Sequence, residues 1–238
     1  MRLARVVALP GAALLASGCR GVQSALDPAG PAALAIARIW WVMLIGGTAI
    51  FLLVMACLLW AMNRRSSLRH PSRLVLLGGL AMPTAVLLAL LVYGIAGGRQ
   101  VVAWGQPVDR TVEVIGRQWE WEFRHPGADG RDARRSIDTL VMPAGELVEF
   151  RIASEDVIHS FWVPRLGGKI DAIPGRVNTL RLRADAPGAM RGQCAEFCGL
   201  SHTHMAFDVR VVPAPDYARW LRGDDAAAHI DATHGAPR

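Results

Sequence analysis

The 238 residues of the chain are 52% apolar and 19% charged, include 14 prolines and 24 glycines, and carry a formal charge of +6. These values exclude a disordered, a collagen-like and a disulfide-framework protein. The mean hydropathy of +0.27 is typical of membrane spans averaged with a more polar domain. Residues 1–98 sum to +7 and residues 99–238 to −1, so the basic residues accompany apolar stretches, as membrane topology signals do, and do not indicate nucleic-acid binding.

The N-terminus has the pattern of an export signal. Arg2 and Arg5 precede an apolar run, residues 6–16, that is shorter than the roughly 20 residues a membrane span needs. Small residues then precede Cys19, as in a bacterial lipoprotein signal. We therefore predict a signal peptide over residues 1–18, lipidation of Cys19 and a short exported segment over residues 19–38. An ordinary cleaved signal followed by an incidental cysteine is the alternative.

Two uncharged apolar runs, residues 39–62 and 74–96, predict a transmembrane helical hairpin over residues 39–98. Because the connecting loop, residues 63–73, holds arginines and no acid, the positive-inside rule places it in the cytoplasm and both flanking segments outside. Neither run contains an ionisable residue, which argues against a proton path within this chain alone. Cys57, inside the first run, is predicted to be a small packing residue.

Residues 99–222 change to alternating, β-branched segments. Alternation is typical of strands buried on one face, and it predicts an antiparallel sandwich or barrel. A short helix over residues 216–221 and a disordered tail over residues 223–238 should follow. The predicted strands are residues 111–115, 118–123, 147–152, 179–183 and 206–211.

Metal-binding residue types are concentrated before the last predicted strand, at Cys194, Cys198, His202 and Met205. A disulfide would explain neither the histidine nor the methionine, and structural zinc sites rarely use a thioether. Soft sulfur with imidazole favours copper, and His159, at the start of another strand, offers a second imidazole. Two thiolates can bridge two metals, each of which would also take one imidazole.

Three stretches carry a close resemblance to a known family: Cys-Ala-Glu-Phe-Cys-Gly-Leu-Ser-His-Thr-His-Met, Asp-Val-Ile-His-Ser-Phe-Trp-Val-Pro and Lys-Ile-Asp-Ala-Ile-Pro-Gly-Arg. They resemble subunit II of the haem–copper cytochrome c oxidases, which carries the dinuclear copper centre called CuA. The resemblance implies a membrane-anchored all-β protein with a cupredoxin-like Greek-key β-barrel. It also implies the ligands of the copper centre. Cys194 and Cys198 would be the bridging thiolates, and His159 and His202 the imidazole ligands. Met205 and the Glu196 carbonyl would be the weak ligands.

The same resemblance implies the partners and the reaction. Electrons would come from cytochrome c and pass to haem in subunit I, where oxygen is reduced to water, in a bacterial inner-membrane complex that also contains subunit III. The Glu196 carboxylate would reach a magnesium or manganese ion at the subunit I interface. Trp119 matches the residue through which the electron enters, although simple packing is its alternative. Acids that could form a docking face for cytochrome c are Glu120, Glu122, Glu155, Asp156 and Asp171.

The sequence departs from the family near Leu76, which is apolar where many members have a glutamate at the mouth of a proton path. His204 is predicted not to bind the metal but to face solvent or to contact the ligand residues, and His125 is predicted to lie in a loop or the tail. Three other classes compete with this interpretation. A quinol-oxidase-type subunit II lacks the copper ligands, nitrous oxide reductase needs a further catalytic domain, and a membrane-anchored copper chaperone usually holds one exchangeable copper.

Overall fold

The computed structural model describes residues 19–63, 71–103, 105–127 and 132–228. The predicted signal peptide, residues 64–70 of the arginine-rich loop and residues 229–238 of the predicted tail lie outside these ranges. The chain divides into two compact units, one formed by residues 1–34 with residues 100–238 and the other by residues 35–99.

Helices account for the apolar part of the chain. Helix α1 (Pro31–Asn63) is followed by α2 (Pro71–Leu74), a π-helical stretch (Val75–Ala81) that contains Leu76, and α3 (Met82–Val101). The helical segments 31–63 and 72–101 are long and apolar enough to cross a membrane. Helix α1 begins at Pro31 rather than at residue 39, because proline is well suited to the first helical position and the residues after it are good helix formers. Cys57 is exposed within α1.

Most of the remaining described chain forms two five-stranded sheets. The strands are β1 (Arg110–Arg117), β2 (Glu120–Pro126), β3 (Asp132–Ile137), β4 (Thr139–Pro143), β5 (Val148–Ser154), β6 (His159–Trp162), β7 (Ile170–Ala172), β8 (Asn178–Leu182), β9 (Gly188–Cys194) and β10 (Ala206–Val212). The strand orders are β3-β2-β1-β5-β8 in the first sheet and β4-β10-β9-β6-β7 in the second. Aromatic side chains meet between the sheets, with Trp121 against Phe207 at 5.8 Å and Phe150 against Phe161 at 5.4 Å between ring centroids.

All five predicted strands are confirmed, but the prediction that the domain is purely antiparallel is wrong. Strands β1 and β5 pair in parallel, with Arg110 opposite Val148, and β10 pairs in parallel with β4. Alternation along one segment specifies which face of a strand is buried, not the direction of the strand beside it.

A C-terminal helix, α4 (Ala214–Leu221), confirms the predicted short helix and covers the far end of β2. There His125 is fully buried, 3.0 Å from the hydroxyl of Tyr217 and against the ring of Trp220, so the prediction that it lies in a loop is wrong. Burial, helped by the charge of Arg134, lowers the pKa of His125 to about 3.

The predicted disordered tail is wrong for residues 223–228. Residues Asp225–Ala228 form a 3₁₀ turn in which Ala227 and Ala228 are buried against the cluster that contains Trp220. Asp225 also pairs with the guanidinium of Arg134. Apolar contact and a charge-assisted hydrogen bond therefore hold this segment on the domain.

Residues 19–30, which we call the N-terminal strap, lie along the second sheet. The carbonyl of Val22 accepts a hydrogen bond from the amide of Arg191 at 3.0 Å. At its other end, Ala29 donates to the carbonyl of Arg165 at 2.8 Å and accepts from the amide of Asp185 at 2.9 Å. Cys19 begins the strap, and its lipidation stays a prediction.

Candidate metal centre

The predicted metal-binding residues lie at the ends of neighbouring strands of one sheet and in the loop that connects two of these strands. His159 is the first residue of β6 and Cys194 is the last residue of β9, which pairs with both β6 and β10. Cys198 and His202 lie in the loop after β9, and Met205 directly precedes β10. Because the amide of Cys194 donates to the carbonyl of Met205 at 2.8 Å, the β9–β10 hairpin closes behind the loop and turns the donors toward one another.

The structure brings all six predicted donor groups together. The two cysteine Sγ atoms are 3.8 Å apart, well beyond a disulfide bond length, so both thiols are available to a metal. Cys194 Sγ lies 3.8 Å from Nδ1 of His159 and 3.2 Å from the carbonyl oxygen of Glu196. Cys198 Sγ lies 3.5 Å from Nδ1 of His202 and 3.7 Å from the sulfur of Met205.

This donor set fits a pair of copper ions better than a structural zinc. Each thiol has one imidazole and one weak donor on its own side, and the two thiols face each other. Sulfur and imidazole are donors that copper prefers, whereas the thioether is foreign to structural zinc. His159, Cys194 and Cys198 by themselves form a buried group whose ligand atoms lie within 4.8 Å of one another.

The protonation of the two thiols differs. Burial raises the pKa of Cys194, but hydrogen bonds involving His159 and nearby backbone groups outweigh burial and lower it. The pKa of Cys198 is raised, first by burial and then by the adjacent charge of Cys194. One thiol therefore ionises readily, whereas the second should ionise only when a cation arrives, which couples metal binding to proton release.

A carboxylate and a glycine orient His159. Its Nε2 lies 2.8 Å from Oδ1 of Asp156, so Nδ1 is left to face Cys194. Burial lowers the pKa of His159, but its contacts with Cys194 and Asp156 outweigh burial and raise it. The ring also packs on Gly116 of β1, where an added Cβ would lie only 2.9 Å from the imidazole. Any larger residue there would displace the histidine.

The turn between β1 and β2 contacts the metal-binding loop directly. Gln118 donates from its side-chain amide to the carbonyl of Cys198 at 2.7 Å and from its backbone amide to Asp156 at 2.6 Å. Trp119 is 38% exposed and lies against Gly199, where an added Cβ would be 3.3 Å from the indole ring. Gly199 has a φ of +120°, a conformation that favours glycine.

The predicted docking acids divide into exposed and buried residues. Glu122 is only 5% exposed and pairs with Arg117 at 2.6 Å and Arg124 at 2.5 Å, so its assignment to a docking face is wrong. Glu155 is exposed but also pairs with Arg117, at 2.6 Å. The other exposed or half-exposed acids are Glu120, Asp156 and Asp171.

Glu196 contributes its carbonyl to the site while its carboxylate points to a lysine. The carboxylate lies 3.7 Å from Nζ of Lys169, which also lies 3.9 Å from Asp171. His204 is exposed, as predicted, with its ring nitrogen 3.2 Å from the hydroxyl of Thr203.

Sequence reasoning missed two residues that support the site. The sequence predicts no role for Gln118. It places Asp156 on the docking face and does not predict that this residue orients His159. A carboxylate three residues before a candidate histidine ligand is a signal that could have identified Asp156, since metal-binding histidines commonly donate their second nitrogen to a carboxylate. No local signal identifies Gln118, because its partner is 80 residues away.

Comparison with known proteins finds one family. Residues 128–212 match the family model "Cytochrome C oxidase subunit II, periplasmic domain". Cytochrome c oxidase subunit 2 of Alkalihalophilus pseudofirmus is 42% identical over 120 residues, which are 50% of this chain and 34% of that protein. The chain thus spans about a third of that relative's length.

Two solved structures of oxidase subunit II are also similar. The periplasmic domain from Bradyrhizobium japonicum is 29% identical, with a TM-score of 0.47, and the match covers 52% of this chain and 99% of that one. Subunit II in a mixed disulfide with the thioredoxin-like protein TlpA is 30% identical, with a TM-score of 0.44 and coverage of 52% and 96%. The β domain that carries the candidate site is therefore similar to the periplasmic domain of cytochrome c oxidase subunit II, and it follows two helices that are long and apolar enough to cross a membrane.

Proposed function

We propose that this chain is the electron-accepting subunit of a respiratory cytochrome c oxidase. It would take electrons from cytochrome c at a dinuclear copper centre and deliver them to haem in subunit I, where oxygen is reduced to water. The observation that carries this proposal is the convergence of two thiols, two imidazoles, one thioether and one carbonyl at one end of a sheet. These groups belong to Cys194 and Cys198, His159 and His202, Met205, and Glu196.

The protein's part in the chemistry is to fix the positions of the metal ligands and to keep water away from them. When bound, a copper pair supplies a one-electron acceptor in which one unpaired electron is shared by two metals. Cys194, Cys198, Met205 and His159 are all buried. Paired strands fix the backbone of His159 and Cys194, and a hydrogen bond from the amide of Cys194 holds the carbonyl of Met205. Because a buried site on a sheet changes shape little, reorganisation on reduction should be small. Asp156 contributes by holding the ring of His159 in one orientation.

The geometry of Trp119 supports its role as the point where the electron enters. Its indole is partly exposed on one side and packs on Gly199 on the other, one residue from Cys198. A donor that contacts this ring would be separated from the metal ligands by a single layer of protein. We propose that Glu120, Glu155, Asp156 and Asp171 surround this contact with negative charge, which would raise the association rate with a basic cytochrome.

We propose subunits I and III and the membrane lipid as the remaining partners. The chain would sit in the bacterial inner membrane, with the arginine-rich loop in the cytoplasm and the copper domain on the periplasmic face. The residues of this chain alone do not fit a magnesium or manganese site at Glu196, because Lys169 lies beside that carboxylate. Such an ion would need donors from subunit I.

Electron uptake by the copper-loaded chain tests the proposal. The full chain in detergent, reconstituted with copper, is mixed with reduced cytochrome c in a stopped-flow instrument. We expect the cytochrome to be oxidised with one electron accepted per chain, at a rate that falls as ionic strength rises. The matched control is Cys194→Ser treated in the same way. A wild-type chain that accepts no electrons, or holds one copper that a chelator removes at once, would favour the chaperone.

A further inference from the structure

A cavity of about 370 Å³ opens beside the metal-ligand cluster. Three predicted ligand residues, Cys194, His202 and Met205, are among the residues that line it. The other lining residues are mostly polar and take no part in the proposed reaction. These are Gln23, Arg191, Gln193, Thr203 and, at the start of β10, Ala206.

Gln23 reaches this cavity from the N-terminal strap. Its side-chain amide donates to the side-chain carbonyl of Gln193 at 3.1 Å, and Gln193 directly precedes Cys194. The preceding residue, Val22, pairs with the backbone of Arg191. Strand β6 pairs with β9 only at its last two residues, Gln193 and Cys194, so the edge of β9 at Arg191 is available to the strap.

Hydrogen bonds hold the strap on the domain at both ends, so the position of Gln23 is fixed. At the far end, the carboxylate of Asp27 lies 3.0 Å from the guanidinium of Arg165, whose Nε also donates to the carbonyl of Asp27 at 2.8 Å. Ala29 adds two backbone hydrogen bonds and packs against the main core. Between these anchors, the amide pair of Gln23 and Gln193 is a single, separable contact at the mouth of the cavity.

Resting on the copper centre proposed above, we infer that this cavity is the port through which copper reaches Cys194, and from there Cys198, whose Sγ is 3.8 Å away, and that Gln23 is its gate. The thiol residues are 5% and 3% exposed, so an incoming ion needs a route lined by donors. Amide and hydroxyl groups admit a solvated ion, and His202 and Met205 provide the first donors inside. The copper ion exchanges solvent or carrier ligands for sulfur, any proton that a thiol still carries is released to solvent, and no electron is transferred.

The positive charge of Arg191 on the cavity wall selects the form in which copper enters. A doubly charged aquo ion is repelled, whereas singly charged Cu(I) with neutral ligands is repelled less. The substrate class of the port is therefore cuprous copper carried by neutral or anionic ligands.

Two substitutions of opposite size test the gate in the full-length chain in detergent. The first readout needs no metal: the alkylation rates of Cys194 and Cys198 by iodoacetamide in the copper-free chain, followed by peptide mass spectrometry. Gln23→Ala removes the amide pair and should raise these rates about fivefold, the equivalent of one net hydrogen bond. Gln23→Trp fills the mouth and should lower them. Gln106→Ala, in the exposed segment before β1, is the matched control and should leave both rates unchanged.

The second readout is the anaerobic uptake rate of Cu(I) supplied as its acetonitrile complex. We expect Gln23→Ala to raise this uptake rate and Gln23→Trp to lower it. The final copper content of both variants should equal that of the wild type. Wild-type alkylation rates in both variants, or a change in the same direction in both, would overturn the gate. If the chain bound no copper pair, the proposed function would be contradicted. The alkylation rates would still show whether Gln23 controls access to the thiols through this cavity.

Discussion

The side-chain amide of Gln118 donates a hydrogen bond of 2.7 Å to the carbonyl oxygen of Cys198. This bond joins the turn that carries Trp119 to the loop that carries Cys198 and His202. Through its backbone, Gln118 also binds Asp156, which holds His159 on the other side of the site. One residue therefore fixes the distance between the proposed electron-accepting surface and both halves of the donor cluster.

Gln118→Ala should slow electron uptake from cytochrome c while leaving copper content unchanged. The variant keeps the backbone bond to Asp156 and loses only the side-chain bond, so the turn loosens without removing a ligand. We expect a rate decrease of about fivefold, corresponding to one net hydrogen bond. Stopped-flow reduction and metal analysis on the same samples provide the two values. If Gln118→Ala took up electrons as fast as the wild type and the Gln106→Ala control, the hydrogen bond from the Gln118 side chain to Cys198 would not be needed for electron uptake.

Trp119→Phe should have a larger effect on the same rate. The phenyl ring is smaller than the indole and would leave a gap against Gly199, where the indole now makes contact. We expect the second-order rate with cytochrome c to fall at least about tenfold, with the copper spectrum intact. Trp60→Phe, on the exposed surface of α1, is the matched control. If Trp119→Phe reacted as fast as the control, the electron would enter elsewhere.

Glu122 and Glu120 should respond differently to loss of charge. Hydrogen bonds from Arg124 and Arg117 lower the pKa of Glu122 despite its burial, so Glu122→Gln removes the buried negative charge that these two guanidinium groups contact. We expect it to lower the free energy of unfolding by about 3 kcal/mol. The half-exposed Glu120 should instead affect docking, so Glu120→Gln lowers the association rate at low salt and leaves stability nearly unchanged.

Denaturant unfolding of both variants and the salt dependence of their rates with cytochrome c separate the two roles. If Glu122→Gln were as stable as the wild type and associated with cytochrome c more slowly, Glu122 would belong to the docking face after all.

The domain should lose stability in acid because of His125. Its pKa is lowered to about 3 in the folded chain, from an ordinary value near 6.5, so between these values the unfolded chain binds more protons. Stability therefore falls as pH drops from about 6.5 toward 3, by at most about 1.4 kcal/mol per pH unit from this group. His125→Phe should be less stable at pH 7, because the bond to Tyr217 is lost, but should show a shallower pH slope. Equal slopes in the two proteins would assign the acid sensitivity to other groups.

The sequence pointed to the donor groups that the structure brings together, because most of them carry unusual chemistry in a short stretch. Strand β10 was also predictable, since its apolar residues alternate. Strand β9 was not, because Gly188 and Gly192 interrupt its alternation. The parallel pairing of β1 with β5 depends on residues that lie far apart in the chain, and no local pattern encodes it.

The same distance explains the errors at single residues. His125 precedes Pro126 and looked like part of a turn, but its partner Tyr217 is 92 residues away. Glu122 alternates with apolar neighbours and looked exposed, whereas Arg117 and Arg124 satisfy its charge in a buried position. The contact of Gln23 with Gln193 spans 170 residues. These contacts exist only after the sheets have formed.

The most direct test of the account is metal analysis with electron paramagnetic resonance on the copper-reconstituted full chain. We predict two coppers per chain that share one unpaired electron, seen as hyperfine coupling to two equivalent nuclei. Cys194→Ser and Cys198→Ser should each lose this signal, Met205→Leu should shift it, and Cys57→Ser should leave it unchanged. One localised copper in the wild type, or a wild-type signal in either of the first two variants, would contradict a centre held by both thiols.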